Sequence, residues 1–141
     1  HLDYFVLQTH ALKPATERDT WTLFDPTRFD NYVHRASSAG IPYYIALPTY
    51  GYGVITNEQG ELAGITAESP SDTIPEGFTL TEVRADPTEL AAIVRRLQTR
   101  PPENCLGIAW FRLPVETDDR NWSWEVLRSV MKEGRTFKEQ E

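Results

Sequence analysis

The sequence predicts an α/β fold: three parallel strand–helix units and a small antiparallel β insertion, together forming part of a (β/α) barrel. Three observations carry this expectation. Strand-like apolar segments alternate with segments of helical periodicity, as in a parallel sheet covered by helices. Two helices open with the same device, Asp25-Pro26 and Asp86-Pro87. The chain has 141 residues, whereas a closed eight-stranded barrel takes about 250.

The elements follow in order. Leu2 to His10 (LDYFVLQTH) is rich in aromatic and β-branched residues and reads as a largely buried strand. Residues 11–24 form a long loop with Pro14 and Trp21. Asp25 can cap free N–H groups, and Pro26 suits a first helical position. Phe29, Tyr32, Val33 and Ala36 then recur on one helix face, and Gly40 closes the helix. Ile41 to Tyr50 (IPYYIALPTY) is the second buried strand, with Gly51 and Gly53 marking its turn. Residues 54–84 change character. Val54-Ile55-Thr56, the turn Asn57 to Gly60, and Glu61 to Ile65 read as a β-hairpin. Residues 69–77 read as a loop, and Phe78 to Arg84 as a further short strand. Residues 54–84 are thus expected as an insertion within one domain spanning 1–141.

Asp86-Pro87 opens the next helix, whose face Leu90, Ile93, Val94 and Leu97 fill before Arg100-Pro101-Pro102 ends it. Leu106 to Leu113 is the last buried strand. An acidic loop over 114–120 leads to a helix over 121–133, with Trp124, Leu127, Val130 and Met131 on its apolar side. A charged tail follows from Gly134. Each strand is apolar on both faces, as when helices cover one side and a barrel interior the other.

The chain opens in mid-strand at His1, so the sequence reads as a fragment of a longer barrel. Three strands leave two unpaired parallel edges and an apolar face. Self-association, or pairing with an N-terminal half, is the expected consequence.

Several function classes are excluded. The net charge is −7, and Arg95-Arg96 is the one adjacent basic pair, so nucleic acid is not an expected partner. No apolar run approaches the ~20 residues of a membrane span, and no signal peptide is visible. His10 and His34 lack Cys or His partners at zinc spacing, so no metal is expected. No glycine-rich phosphate loop and no Gly-x-Ser-x-Gly elbow occurs, and no cofactor is expected. Cys105 is the single cysteine; its apolar neighbours predict a buried, inert thiol.

Chemistry in parallel α/β folds collects where strands end. The first strand ends Gln8-Thr9-His10, the second Thr49-Tyr50-Gly51-Tyr52, and the third runs through Trp110 and Arg112. Alternation places Gln8 with His10 on one face, and Trp110 with Arg112 on one face. Such side chains within strands are costly unless they are hydrogen-bonded or line a polar cavity. An aromatic face with amide, imidazole, phenol and guanidinium groups suits a sugar ring. Gln8, His10, Tyr50, Tyr52, Trp110 and Arg112 are therefore the candidate glycan-binding residues. Arg112 calls for a carboxylate, with Glu116 or Glu68 as candidate structural partners. Asp119 is a candidate cap for the last helix. Trp21, Trp122 and Trp124 read as packing residues.

The stretches FVLQTHAL, IALPTYGYG, and GIAWFRLP followed by NWSWEVL resemble the C-terminal half of a bacterial barrel family of unknown function. That family is distantly similar to chitinase-type glycoside hydrolases. The resemblance implies a TIM-like barrel, with FVLQTH as its sixth strand, IALPTYG its seventh and GIAWFRLP its eighth. It implies Trp110 at the floor of a sugar subsite, Tyr50 beside the cleft, and Gln8 and His10 beside the scissile bond, in place of the usual Tyr-Asp. The acidic D-x-x-D-x-D-x-E run of those enzymes is missing here and would lie upstream of residue 1. The catalytic residues are thus unknown from this chain. The implied function is part of a carbohydrate-active, glycoside-hydrolase-like protein, with a bacterial secreted or envelope setting. The alternative is a non-catalytic barrel serving as an interaction or structural protein.

Overall fold

The computed structural model describes residues 3–11, 21–67 and 74–135. Among these residues there are two three-stranded sheets and three helices. The first sheet is parallel and joins β1 (Phe5–Gln8), β2 (Tyr43–Pro48) and β6 (Cys105–Phe111) in the order β1-β2-β6. The second is antiparallel and joins β3 (Gly51–Thr56), β4 (Leu62–Thr66) and β5 (Thr79–Arg84) in the order β4-β3-β5. The helices are α1 (Pro26–Ser38), α2 (Pro87–Thr99) and α3 (Trp124–Arg135). Among the described residues the parallel sheet is open, not a closed barrel.

Local chemistry sets the helix starts. The Asp25 carboxylate accepts from the N–H groups of Thr27 and Arg28, and Asp86 does the same for Thr88. Each cap satisfies donors that the first helical turn leaves orphaned, and proline loses nothing at that position. Gly40, with φ +70°, follows α1 in the left-handed conformation that a side chain disfavours. The third helix begins differently from expectation. Ser123, not Asp119, takes the capping place: its hydroxyl accepts from Val126 N–H and its carbonyl from Leu127 N–H.

The core lies between the parallel sheet and the helices. Tyr43, Ile45 and Leu47 of β2 point into it, with Phe29, Leu90, Val94, Leu97, Leu127 and Val130 from the helices. α2 is central in the helical layer. It packs on α3, and its Arg95 pairs with Glu133 at 2.6 Å, while Arg96 pairs with Asp30 of α1 at 2.6 Å. Both pairs are exposed and contribute little to stability beyond orientation.

Three expectations are corrected here. The strands are not covered on both faces. Tyr4 and Val6 are about half exposed and Gln8 is exposed, because among the described residues no helix or strand packs over that part of the sheet. Trp124 is exposed rather than packed, at the first turn of α3. Tyr32 lies outward from α1, whose buried face is Phe29 and Ala36.

Candidate functional site

Register decides which side chains meet. Gln8 pairs with Ala46, and Ala46 with Ala109; one row further on, Pro48 pairs with Phe111 two residues along each strand. Residues in one such row share a face. The open face therefore carries Tyr4, Val6, Gln8, Tyr44, Ala46, Pro48, Ala109 and Phe111, none of them charged. Leu47 and Trp110 form a row on the opposite face.

At the carboxyl ends of the three parallel strands a compact aromatic group forms. The His10 ring stacks on Phe111 with centroids 5.5 Å apart and planes 10° apart. Tyr50 meets both edge-on, at 5.5 Å from His10 and 5.7 Å from Phe111. The Arg112 guanidinium lies over the Tyr50 ring, 5.7 Å from its centroid. Arg112 also pairs with Asp118. Its carbonyl accepts from the Thr49 hydroxyl and from the Asn121 amide. Phe111 is 45% exposed and Tyr50 is buried, so the group presents one aromatic face outward over a fixed base. Among the described residues no group of three or more His, Cys, Asp or Glu is placed to hold a metal, and no helix is long and apolar enough to cross a membrane.

Electrostatics complete the picture. Burial holds the His10 imidazole below its usual pKa. Its Nδ1 is buried, without a hydrogen-bond partner among the described residues. A neutral imidazole carries one N–H and one lone pair, so its other ring nitrogen can donate or accept a single hydrogen bond. Burial raises the Tyr50 phenol, and the Arg112 charge opposes that rise. Tyr50 is thus a neutral donor at neutral pH.

The imidazole makes stability depend on pH. The unfolded histidine titrates at 6.5 and the folded one lower. Between those values the unfolded chain binds more protons, so stability falls as pH drops below 6.5 and levels off below the folded value. Urea unfolding from pH 7.5 to 4.5 should show this descent in the wild type and a shallower one in His10→Phe. Parallel descents in the two proteins would remove His10 as the cause.

A family model described as Domain of unknown function (DUF3142) matches residues 1–116. The chain belongs to this family. No curated protein matches it. Among solved structures, it is similar to Chitinase ChiA74 from Bacillus thuringiensis, with a TM-score of 0.49 and 12% sequence identity. That superposition covers 92% of this chain and 28% of the chitinase, so the chain spans under a third of that protein's length.

Of the six candidate residues, the DUF3142 fold brings His10, Tyr50 and Arg112 together. Gln8 lies one turn of the pleat below them on the same open face, exposed. Tyr52 does not join them. It is fully buried, edge-on to Trp21 at 6.3 Å, with its hydroxyl directed at the Thr22 carbonyl. Burial, with neighbouring Tyr50, pushes its pKa up to about 12. Trp110 faces the helical layer, 6.0 Å from Trp122, in a groove of about 390 Å³ lined also by Leu97, Cys105, Ile108 and Met131. Phe111, and not Trp110, holds the place beside His10 on the open face. Cys105 is half-buried in that groove, and burial pushes its thiol pKa up. The structure pairs Arg112 with Asp118; Glu68 lies outside the described residues.

Proposed function

We propose that this chain supplies one side of a glycan-binding cleft at the carboxyl end of a partial (β/α) barrel, within a glycoside-hydrolase-like protein. The observation that carries the reading is the convergence of His10, Tyr50, Phe111 and Arg112 from the ends of three parallel strands. Phe111 offers an apolar ring face to the C–H side of a sugar. The His10 imidazole and the Tyr50 hydroxyl supply neutral hydrogen bonds to its hydroxyls. The open sheet face below, running to Gln8 and Tyr4, would continue the wall of the cleft. The acid that protonates a leaving group would come from strands outside this set.

Titration calorimetry against chito-, cello- and mannotetraose tests the reading. At least one tetrasaccharide is expected to bind, and Phe111→Ala should weaken it at least about tenfold, the equivalent of roughly 1.4 kcal/mol. Phe111 is exposed, so this variant should keep its fold. Absence of binding to all three sugars would sink the glycan reading.

One observation favours a second reading, a non-catalytic interaction protein. The carboxylate beside the aromatic group, Asp118, is already engaged: it pairs with Arg112 and accepts the Arg120 N–H at 3.1 Å. With both carboxylate oxygens taken up inside the protein, Asp118 is not free to reach a ligand.

A further inference from the structure

We propose that Arg120 is a positioning residue for this cleft, transmitting the placement of the antiparallel sheet through Asp118 to Arg112 and Tyr50. The inference rests on the reading that the cleft binds ligand.

Arg120 belongs to the loop between β6 and α3, yet it is only 6% exposed. A buried arginine is costly to desolvate and adds little net stability, so its position calls for another account. Its side chain runs across β3 at two glycines. A Cβ at Gly51 would stand 3.3 Å from Arg120 Cβ, and one at Gly53 would stand 3.5 Å from its Nη2. The missing side chains form the trough that admits it. Between those two glycines, Arg120 Nε lies 3.5 Å from Glu82 Oε1 on β5. From the same strand, Arg84 Nη1 donates to the Asp119 carbonyl at 2.9 Å. The loop is therefore fastened to the antiparallel sheet at two adjacent residues.

The other end of the relay is Asp118. One of its carboxylate oxygens accepts the backbone N–H of Arg120, and the other pairs with Arg112. Arg112 in turn lies over Tyr50, the residue immediately before Gly51. The path thus closes on itself: Tyr50 leads directly into β3, which carries the trough, and the loop carries the groups that hold Arg112 over the Tyr50 ring. Moving Arg120 shifts Asp118, and Arg112 loses its place on the ring.

The test uses the intact chain, Arg120→Met and Arg120→Lys, with Arg95→Met as a control in the helical layer. The readouts are the Arg112 Nε–H resonance and amide exchange over residues 113–121. Arg120→Met should shift the resonance and speed exchange at least tenfold, Arg120→Lys should recover part of both, and Arg95→Met should alter neither. Affinity for the tetrasaccharide that binds the wild type should fall at least fivefold in Arg120→Met. An unmoved Arg112 resonance in folded Arg120→Met overturns the relay, even where glycan binding stands. If no tetrasaccharide binds the wild type, the glycan reading fails while the resonance still tests the relay. Should Arg120→Met not fold, Glu82→Gln carries the same expectation, and an unmoved resonance there is equally fatal.

Discussion

Replacing Trp122 by alanine is expected to lower the unfolding free energy by about 3–5 kcal/mol, the range for truncating a buried aromatic residue. Trp122 is 8% exposed and joins three parts of the fold. Its indole N–H donates to the Ala85 carbonyl at 2.9 Å, just before the cap of α2. Its backbone N–H donates to the Thr49 carbonyl at 2.8 Å, at the end of β2. Its ring packs on Trp110 of β6. Truncation leaves a cavity beside Trp110 and a carbonyl without its partner, and the two costs act together. Trp122→Phe separates them, since it keeps most of the packing and should cost only about 1–3 kcal/mol. Urea unfolding followed by far-UV circular dichroism measures both. A loss under 1 kcal/mol for Trp122→Ala would show that the loop re-packs without it.

Gly51→Val should be the most damaging change within the antiparallel sheet. A Cβ at Gly51 would lie 2.7 Å from the Val83 carbonyl oxygen and 2.9 Å from Arg84 Cγ. The first of these is backbone in the paired strand β5, so it cannot rotate away. Overpacking of this kind costs about 1–3 kcal/mol for small additions; valine adds two further methyl groups and belongs at or above the upper end. Gly64→Ala is the internal control. Nothing lies within 4 Å of its Cβ position, and that variant should stay within about 0.5 kcal/mol of the wild type. Equal stabilities for Gly51→Val and Gly64→Ala would contradict the close approach of β3 and β5.

Much of the fold is legible in the sequence wherever the governing chemistry is local. The two Asp-Pro starts name their helices because a carboxylate and a missing N–H act within one turn. The stripe Leu90, Ile93, Val94, Leu97 is buried as its spacing implies. Facing is harder, because it depends on strand register, and a one-residue slip inverts every side chain. Between Tyr43 and Tyr44 the pairing with β6 skips Leu106. That irregularity belongs to the pair of strands and not to either alone. Alternation along β6 therefore separates Trp110 from Phe111 but cannot tell which of them joins His10. The exposure of the sheet's second face is illegible for a related reason: apolar residues on both sides describe what a strand is suited to, not what covers it. Arg120 reads as one more charge in an acidic loop. The spaced glycines Gly51 and Gly53 were the available signal, and nothing local links them to a residue so far along the chain.

The parallel order β1-β2-β6 also has a cost in chain entropy. The hairpin contact between Asn57 and Glu61 spans 4 positions, whereas Thr9 bonds Ala46 across 37 and Thr49 bonds Arg112 across 63. Closing a loop grows more expensive with its length, and non-local pairing is slow to form. The antiparallel hairpin can thus assemble from neighbours, while the three strand ends that bear His10, Tyr50 and Phe111 meet only after the long loops have closed. No short peptide cut from this chain contains the aromatic group, which comes into being with the last and most distant contacts of the fold.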